Sequence, residues 1–116
     1  MSVIDEKQLD ILSELIGGDR SSLVELIETF MEEGRDMMVE MNDSLGSKDI
    51  DTLRRCSHSM KSSSQDFGAV ALSELNATLE SQCKNGWPST ASQQVNVIAD
   101  NFEEASKALS SYISQY

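Results

Sequence analysis

Apolar residues recur along this chain every three or four positions, and no segment alternates them with polar residues in the two-residue period of a strand. The spacing therefore predicts helices throughout. Leu9, Leu12 and Ile16 form one apolar side of a first helix, with Ile11 and Leu15 beside it. Asp5 followed by Gln8 resembles a capping box that starts this helix, and Gly17-Gly18 ends it. Asp19 then caps a longer second helix. Its stripe is Leu23, Ile27, Phe30, Gly34, Met37, Met41 and Leu45, and Glu25, Glu28, Glu32, Asp36, Glu40 and Asp43 occupy the other faces. Gly34 inside that stripe costs helix propensity, and close approach of a neighbouring helix is the reason expected for it.

Gly46 is expected to stop the second helix and Ser47 to cap the next, which runs from about Lys48 to Asp66 until Gly68 breaks it. A fourth helix, from about Ala69 to Lys84, carries Leu72, Leu75, Leu79 and Cys83 as its stripe. Asn85 to Thr90 reads as a loop, with Trp87 lying over the end of the bundle. Ser89 or Thr90 starts the last helix, where Val95, Ile98, Phe102, Ala105, Leu109 and Tyr112 step down one face. The fold expected is all-α: an antiparallel four-helix bundle preceded by a short N-terminal helix, one domain over residues 1–116.

Composition narrows what such a bundle does. The chain has 116 residues and a formal net charge of −11, so nucleic acid and anionic membranes make poor partners. The N-terminus has no basic start and no apolar run of a signal peptide, and no apolar run reaches membrane-spanning length, which points to the cytoplasm. Cys56 and Cys83 lack CxxC spacing and lie on apolar stripes, so they read as core residues. With one histidine and no carboxylate cluster of ligand spacing, no metal site and no cofactor are expected. No Gly-rich phosphate loop follows a strand, which leaves nucleotide binding without support. A Ser/His/Asp hydrolase would need a strained nucleophile turn and an oxyanion hole that these residues do not supply.

The chemistry concentrates in the third helix. At about 100° per residue, Leu53, Cys56, Met60, Ser63 and Phe67 share a packed face, and the single histidine, His58, points away from it. Lys61, Ser62 and Gln65 follow on the outward side. Between Thr52 and Gln65 the three cations Arg54, Arg55 and Lys61 stand without a carboxylate, a local reversal of the overall sign. An exposed imidazole is a nucleophile near neutral pH, and with a cation one turn away and small side chains beside it the geometry suits one reached by another protein.

The run His58-x-x-Lys61-Ser62-Ser63, followed by Phe67-Gly68-Ala69 and Leu72, resembles the signature of the histidine-containing phosphotransfer (HPt) family, with Ser62 where most members have Gly. The short chain and its Lys-Ser-Ser sequence are similar to the stand-alone carriers of Vibrio-type quorum-sensing relays. The resemblance implies a monomeric phosphorelay intermediate without ATP-dependent kinase activity. It would take a phosphoryl group on His58, through Nε2, from the receiver domain of a hybrid sensor kinase and pass it to that of a response regulator. Lys61 would supply charge beside the group. Ser62, Gln65 and Arg54 would contact phosphoryl oxygens or the partner. Glu80, at the matching position of the following helix, could accept a hydrogen bond from Nδ1–H and set the tautomer. The first helix and the flank of the third would dock the receiver. The alternative is a helical adaptor that binds a receiver without phosphotransfer.

Overall fold

The computed structural model describes residues 3–115, and all its regular elements are helices. They are α1 (Glu6–Leu15), α2 (Arg20–Ser47), α3 (Ile50–Asp66), α4 (Val70–Cys83) and α5 (Ala91–Ser114). Contacts close a ring: α2 packs on α3, α3 on α4, α4 on α5 and α5 back on α2, while α1 lies against α2 and α3. The 28 residues of α2 rise about 42 Å at ~1.5 Å each, which matches the 43 Å long dimension of the molecule. The core inside the ring is built from Leu23, Ile27, Phe30 and Met41 of α2, Leu53, Cys56 and Met60 of α3, Leu72 and Leu79 of α4, and the α5 stripe expected from the spacing.

The helix ends explain where the boundaries fall. Asp5 caps α1 by accepting the Lys7 N–H at 3.0 Å. The return arm of a capping box is not made, because the Asp5 N–H donates instead to the Gly68 carbonyl at 2.7 Å. This bond ties the N-terminal segment to the α3–α4 turn. Gly68 has φ +77, and a Cβ there would also press on the Asp5 backbone, so the turn needs glycine twice over. Asp19 caps α2 differently from the expected pattern: its carboxylate accepts the Ser21 and Ser22 hydroxyls rather than a backbone N–H.

Gly46 does not stop α2. The helix continues to Ser47 and ends on Lys48, which takes the left-handed conformation (φ 53, ψ 45). Asp49, not Ser47, caps α3, accepting the Thr52 N–H at 3.2 Å and the Thr52 hydroxyl at 2.7 Å. An aspartate followed by a threonine that can return a second bond outcompetes an upstream serine, and a lone Gly inside a helix costs only about 1 kcal/mol. α4 and α5 begin within two residues of the expected positions, after Ala69 and Thr90. Trp87 packs against the core beside the α4–α5 connection.

Gly34 is buried against α5, where a Cβ would overlap the ring of Phe102. That ring cannot simply turn aside. Phe102 lies 6.1 Å from Phe30, which itself stacks on Phe67 at 4.7 Å. The two glycines of α2 thus make opposite predictions. Gly34→Ala lowers stability by about 1–3 kcal/mol despite its gain in helix propensity. Gly46→Ala, whose Cβ would meet nothing within 4 Å, raises stability by about 0.5–1 kcal/mol. Urea denaturation of both variants checks this; a stabilised Gly34→Ala would contradict the packing described.

Candidate functional site

α3 buries Leu53, Cys56, Ser57, Met60 and Ser64. The stripe is thus turned slightly from the expected one: Ser64 is fully buried and Ser63 only half-buried, its hydroxyl donating back to the Ser59 carbonyl at 3.0 Å. His58 remains on the outer surface, its side chain 62% exposed.

The facing helix supplies an unexpected polar seam. α4 buries Ser73, Asn76 and Glu80 along with Leu72, Leu79 and Cys83, while Leu75 is only half-buried. The seam is anchored by hydrogen bonds to backbone. Ser73 donates to the Lys61 carbonyl across the helix pair at 2.8 Å, Ser57 to the Leu53 carbonyl at 2.8 Å, and Asn76 to the Leu72 carbonyl at 2.9 Å.

At the outer edge of this seam Glu80 joins two of the candidate residues. One carboxylate oxygen, Oε2, lies 2.6 Å from His58 Nδ1, and the other, Oε1, accepts from Lys61 Nζ at 2.6 Å. The Glu80 side chain is 11% exposed and that of Lys61 33%. The hydrogen bond from Lys61 is the largest influence on the Glu80 carboxyl and lowers its pKa. Burial opposes that shift, and the contact with His58 adds to the lowering. Glu80 is therefore an acceptor-only carboxylate at neutral pH. A 2.6 Å contact with a neutral ring is then a hydrogen bond only if Nδ1 carries the proton, which leaves the Nε2 lone pair free. The candidate nucleophile is thus oriented by a group that also fixes its tautomer.

The other expected residues scatter around this cluster. Arg54 lines an open depression that also includes His58, Asp51, Arg55, Glu80 and Lys84. Arg55 is drawn away by Glu40, at 2.7 Å. Ser62 is exposed on the turn after His58. Gln65 lines a different depression, with Asp5, Gln8, Val70, Ser73 and Glu74, and so is not brought into the His58 site. Lys84 was not singled out by the sequence. Its signal was the four-residue step from Glu80, which puts it at the C-cap of α4 on the same side as Glu80. Cys56 and Cys83 are free and buried, and burial raises both thiols above their ordinary pKa, as suits core residues.

Residues 25–110 match the model of the Hpt domain. The chain is 28% identical over 112 residues to the phosphorelay protein LuxU of Vibrio vulnificus, in strains YJ016 and CMCP6, covering 97% of this chain and 96% of the relative. Its fold is that of the crystal structure of histidine-containing phosphotransfer protein B (HptB) from Pseudomonas aeruginosa PAO1. The TM-score is 0.90 at 22% identity, over 98% of this chain and 96% of that one. A surface histidine held by a carboxylate of the next helix, in an all-helical chain matched by that model over most of its length, places this protein in the Hpt domain family.

Proposed function

We propose that this chain is a phosphorelay intermediate of two-component signalling, accepting a phosphoryl group on His58 from one receiver domain and passing it to another. The observation that carries the reading is the Glu80 contact, which holds Nδ1 and leaves the exposed ring with its Nε2 lone pair directed away from the carboxylate. In the forward step Nε2 attacks the phosphorus of a receiver's aspartyl phosphate. The N–P bond forms as the P–O bond breaks, and the electron pair returns to the receiver's carboxylate. The proton stays on Nδ1, the ring becomes a cation, and Glu80 neutralises it at hydrogen-bond distance. Because Nδ1 keeps its proton, the ring leaves as a neutral imidazole when the second receiver's carboxylate attacks the phosphorus, and the same step runs in reverse. Lys61 acts mainly through Glu80, keeping it ionised and aimed at the ring. Any Mg²⁺ belongs to the receiver's acidic pocket, and the chain acts as a carrier without kinase activity of its own.

The same reading takes α2–α5 as an antiparallel four-helix bundle, which short connections between neighbouring helices support. It takes the chain as one Hpt unit that works as a cytoplasmic monomer; no helix among the described residues is long and apolar enough to cross a membrane. The docking surface for receivers includes α1. Leu9, Leu12 and Ile16 pack inward, whereas Ile11 and Leu15 are 49% and 77% exposed. Two bare aliphatic side chains on the helix that leans on α3 suit an apolar docking patch. Leu15→Ser should therefore weaken receiver binding severalfold in a titration while leaving the thermal midpoint unchanged.

The direct test supplies a panel of separately phosphorylated receiver domains without ATP and follows acid-labile, base-stable label on this chain. Rapid labelling of the wild type is expected. His58→Gln should abolish it and keep the helical spectrum, whereas binding without label would favour an adaptor. Glu80→Gln should slow transfer by about tenfold, by analogy with the losses that follow when the carboxylate behind a metal-bound histidine is removed. Because the folded-state pKa of Glu80 is lowered, its pairing contributes stability in full above its ordinary value of 4.5, and that contribution is lost as pH falls through the lowered value. Urea midpoints measured from pH 7 down to 3 should drop more steeply at the acid end in wild type than in Glu80→Gln. Parallel curves would contradict this.

A further inference from the structure

The cations around His58 fall into two sets. Lys61 lies one turn after His58 on α3 and is committed to Glu80 at 2.6 Å. Arg55 is committed to Glu40 at 2.7 Å. Arg54 and Lys84 have no ion pair within 4.0 Å among the described residues, yet both line the same open depression as the imidazole. Their placement is regular. Arg54 precedes His58 by one turn on α3, and Lys84, the C-cap of α4, follows Glu80 by four residues. Since Glu80 meets His58 across the helix pair, the two cations sit together beyond the ring, on the side away from Lys61. Asp51 is the one carboxylate in the depression besides Glu80.

We propose that Lys84 and Arg54, rather than Lys61, are the side chains that hold the phosphoryl group on His58. This rests on the reading that His58 carries that group on Nε2. The group then stands clear of Glu80, which occupies the Nδ1 side of the ring. For Lys61 to reach it, the ammonium must abandon Glu80 and leave a nearly buried carboxylate oxygen without its partner, the costliest kind of broken hydrogen bond. Arg54 and Lys84 break no ion pair by turning inward, and both are exposed side chains on long flexible stems. They also bring positive charge to the one part of a strongly acidic chain where a doubly charged group must rest. Lys84 is thus a phosphoryl-binding residue of this site.

The test places the group without any receiver, so it stands apart from the relay experiment. Phosphoramidate serves as donor: Nε2 attacks its phosphorus, the donor's P–N bond breaks and ammonia leaves. The ³¹P resonance of the phosphohistidine is then titrated, because neighbouring cations favour the dianion and lower the midpoint. Lys84→Gln and Arg54→Gln should each raise the midpoint by about 0.3 pH units, and the double variant by about twice that. Lys84→Arg should restore the wild-type value, and added salt should erase the differences. Lys61→Gln should move the midpoint less than Lys84→Gln. A Lys84→Gln midpoint equal to wild type, or a larger shift from Lys61→Gln, overturns the proposal. A midpoint that behaves as expected in a chain that no receiver labels would sink the carrier reading and leave the anion site standing.

Discussion

The Glu80 carboxylate is the constraint on which the site depends. Its two oxygens each take one partner at 2.6 Å, His58 on one side and Lys61 on the other, at the edge of the α3–α4 interface. A carboxylate so nearly buried is tolerated only because both oxygens are satisfied, and the satisfaction fixes three side chains at once. The ring orientation, the ionisation of Glu80 and the placing of Lys61 are therefore one property of the molecule. A neutral amide at position 80 has one acceptor oxygen, so it could accept from only one of these two donors, and it would bring no charge to offset a cationic ring.

The scaffold is organised to hold α3 and α4 in that register. Ser73 binds the Lys61 carbonyl from across the interface, and small residues on α3 let the helices meet along a polar seam. The turn between them is locked by Gly68, whose carbonyl receives the N-terminal segment, and by Phe67, which stacks on Phe30. On the other flank, α2 and α5 are held close by the fit of Gly34 to Phe102. Side chains that never touch the imidazole thus set how far α4 can slide past α3, and hence whether Glu80 reaches Nδ1.

Much of this was legible in the sequence because it rests on apolar period and cap chemistry. The five helices, the α5 stripe, the outward His58 and the close approach at Gly34 follow from spacing. What the spacing missed is informative. Gly46 looked like a stop, but one glycine does not end a helix when a better capping pair, Asp49 and Thr52, lies just beyond it. The buried face of α4 was read as apolar, whereas half of it is polar, because Ser73, Asn76 and Glu80 are paired across or along the helices and pairing leaves no mark on a hydropathy pattern. Gln65 shares a helical side with His58, but the two lie two turns apart, and the packing of α1 and α4 gives Gln65 different neighbours. Lys84 could be placed only once Glu80 was known to face His58.

The central claim is that Glu80 fixes the tautomer of His58 and so chooses its nucleophilic nitrogen. The most direct measurement is the ¹⁵N spectrum of the His58 ring in labelled protein, with the imidazole neutral. The structure predicts a protonated Nδ1 and an unprotonated Nε2 in the wild type, and loss of that preference in Glu80→Ala. A proton on Nε2 in the wild type, or a tautomer indifferent to Glu80, would contradict the account.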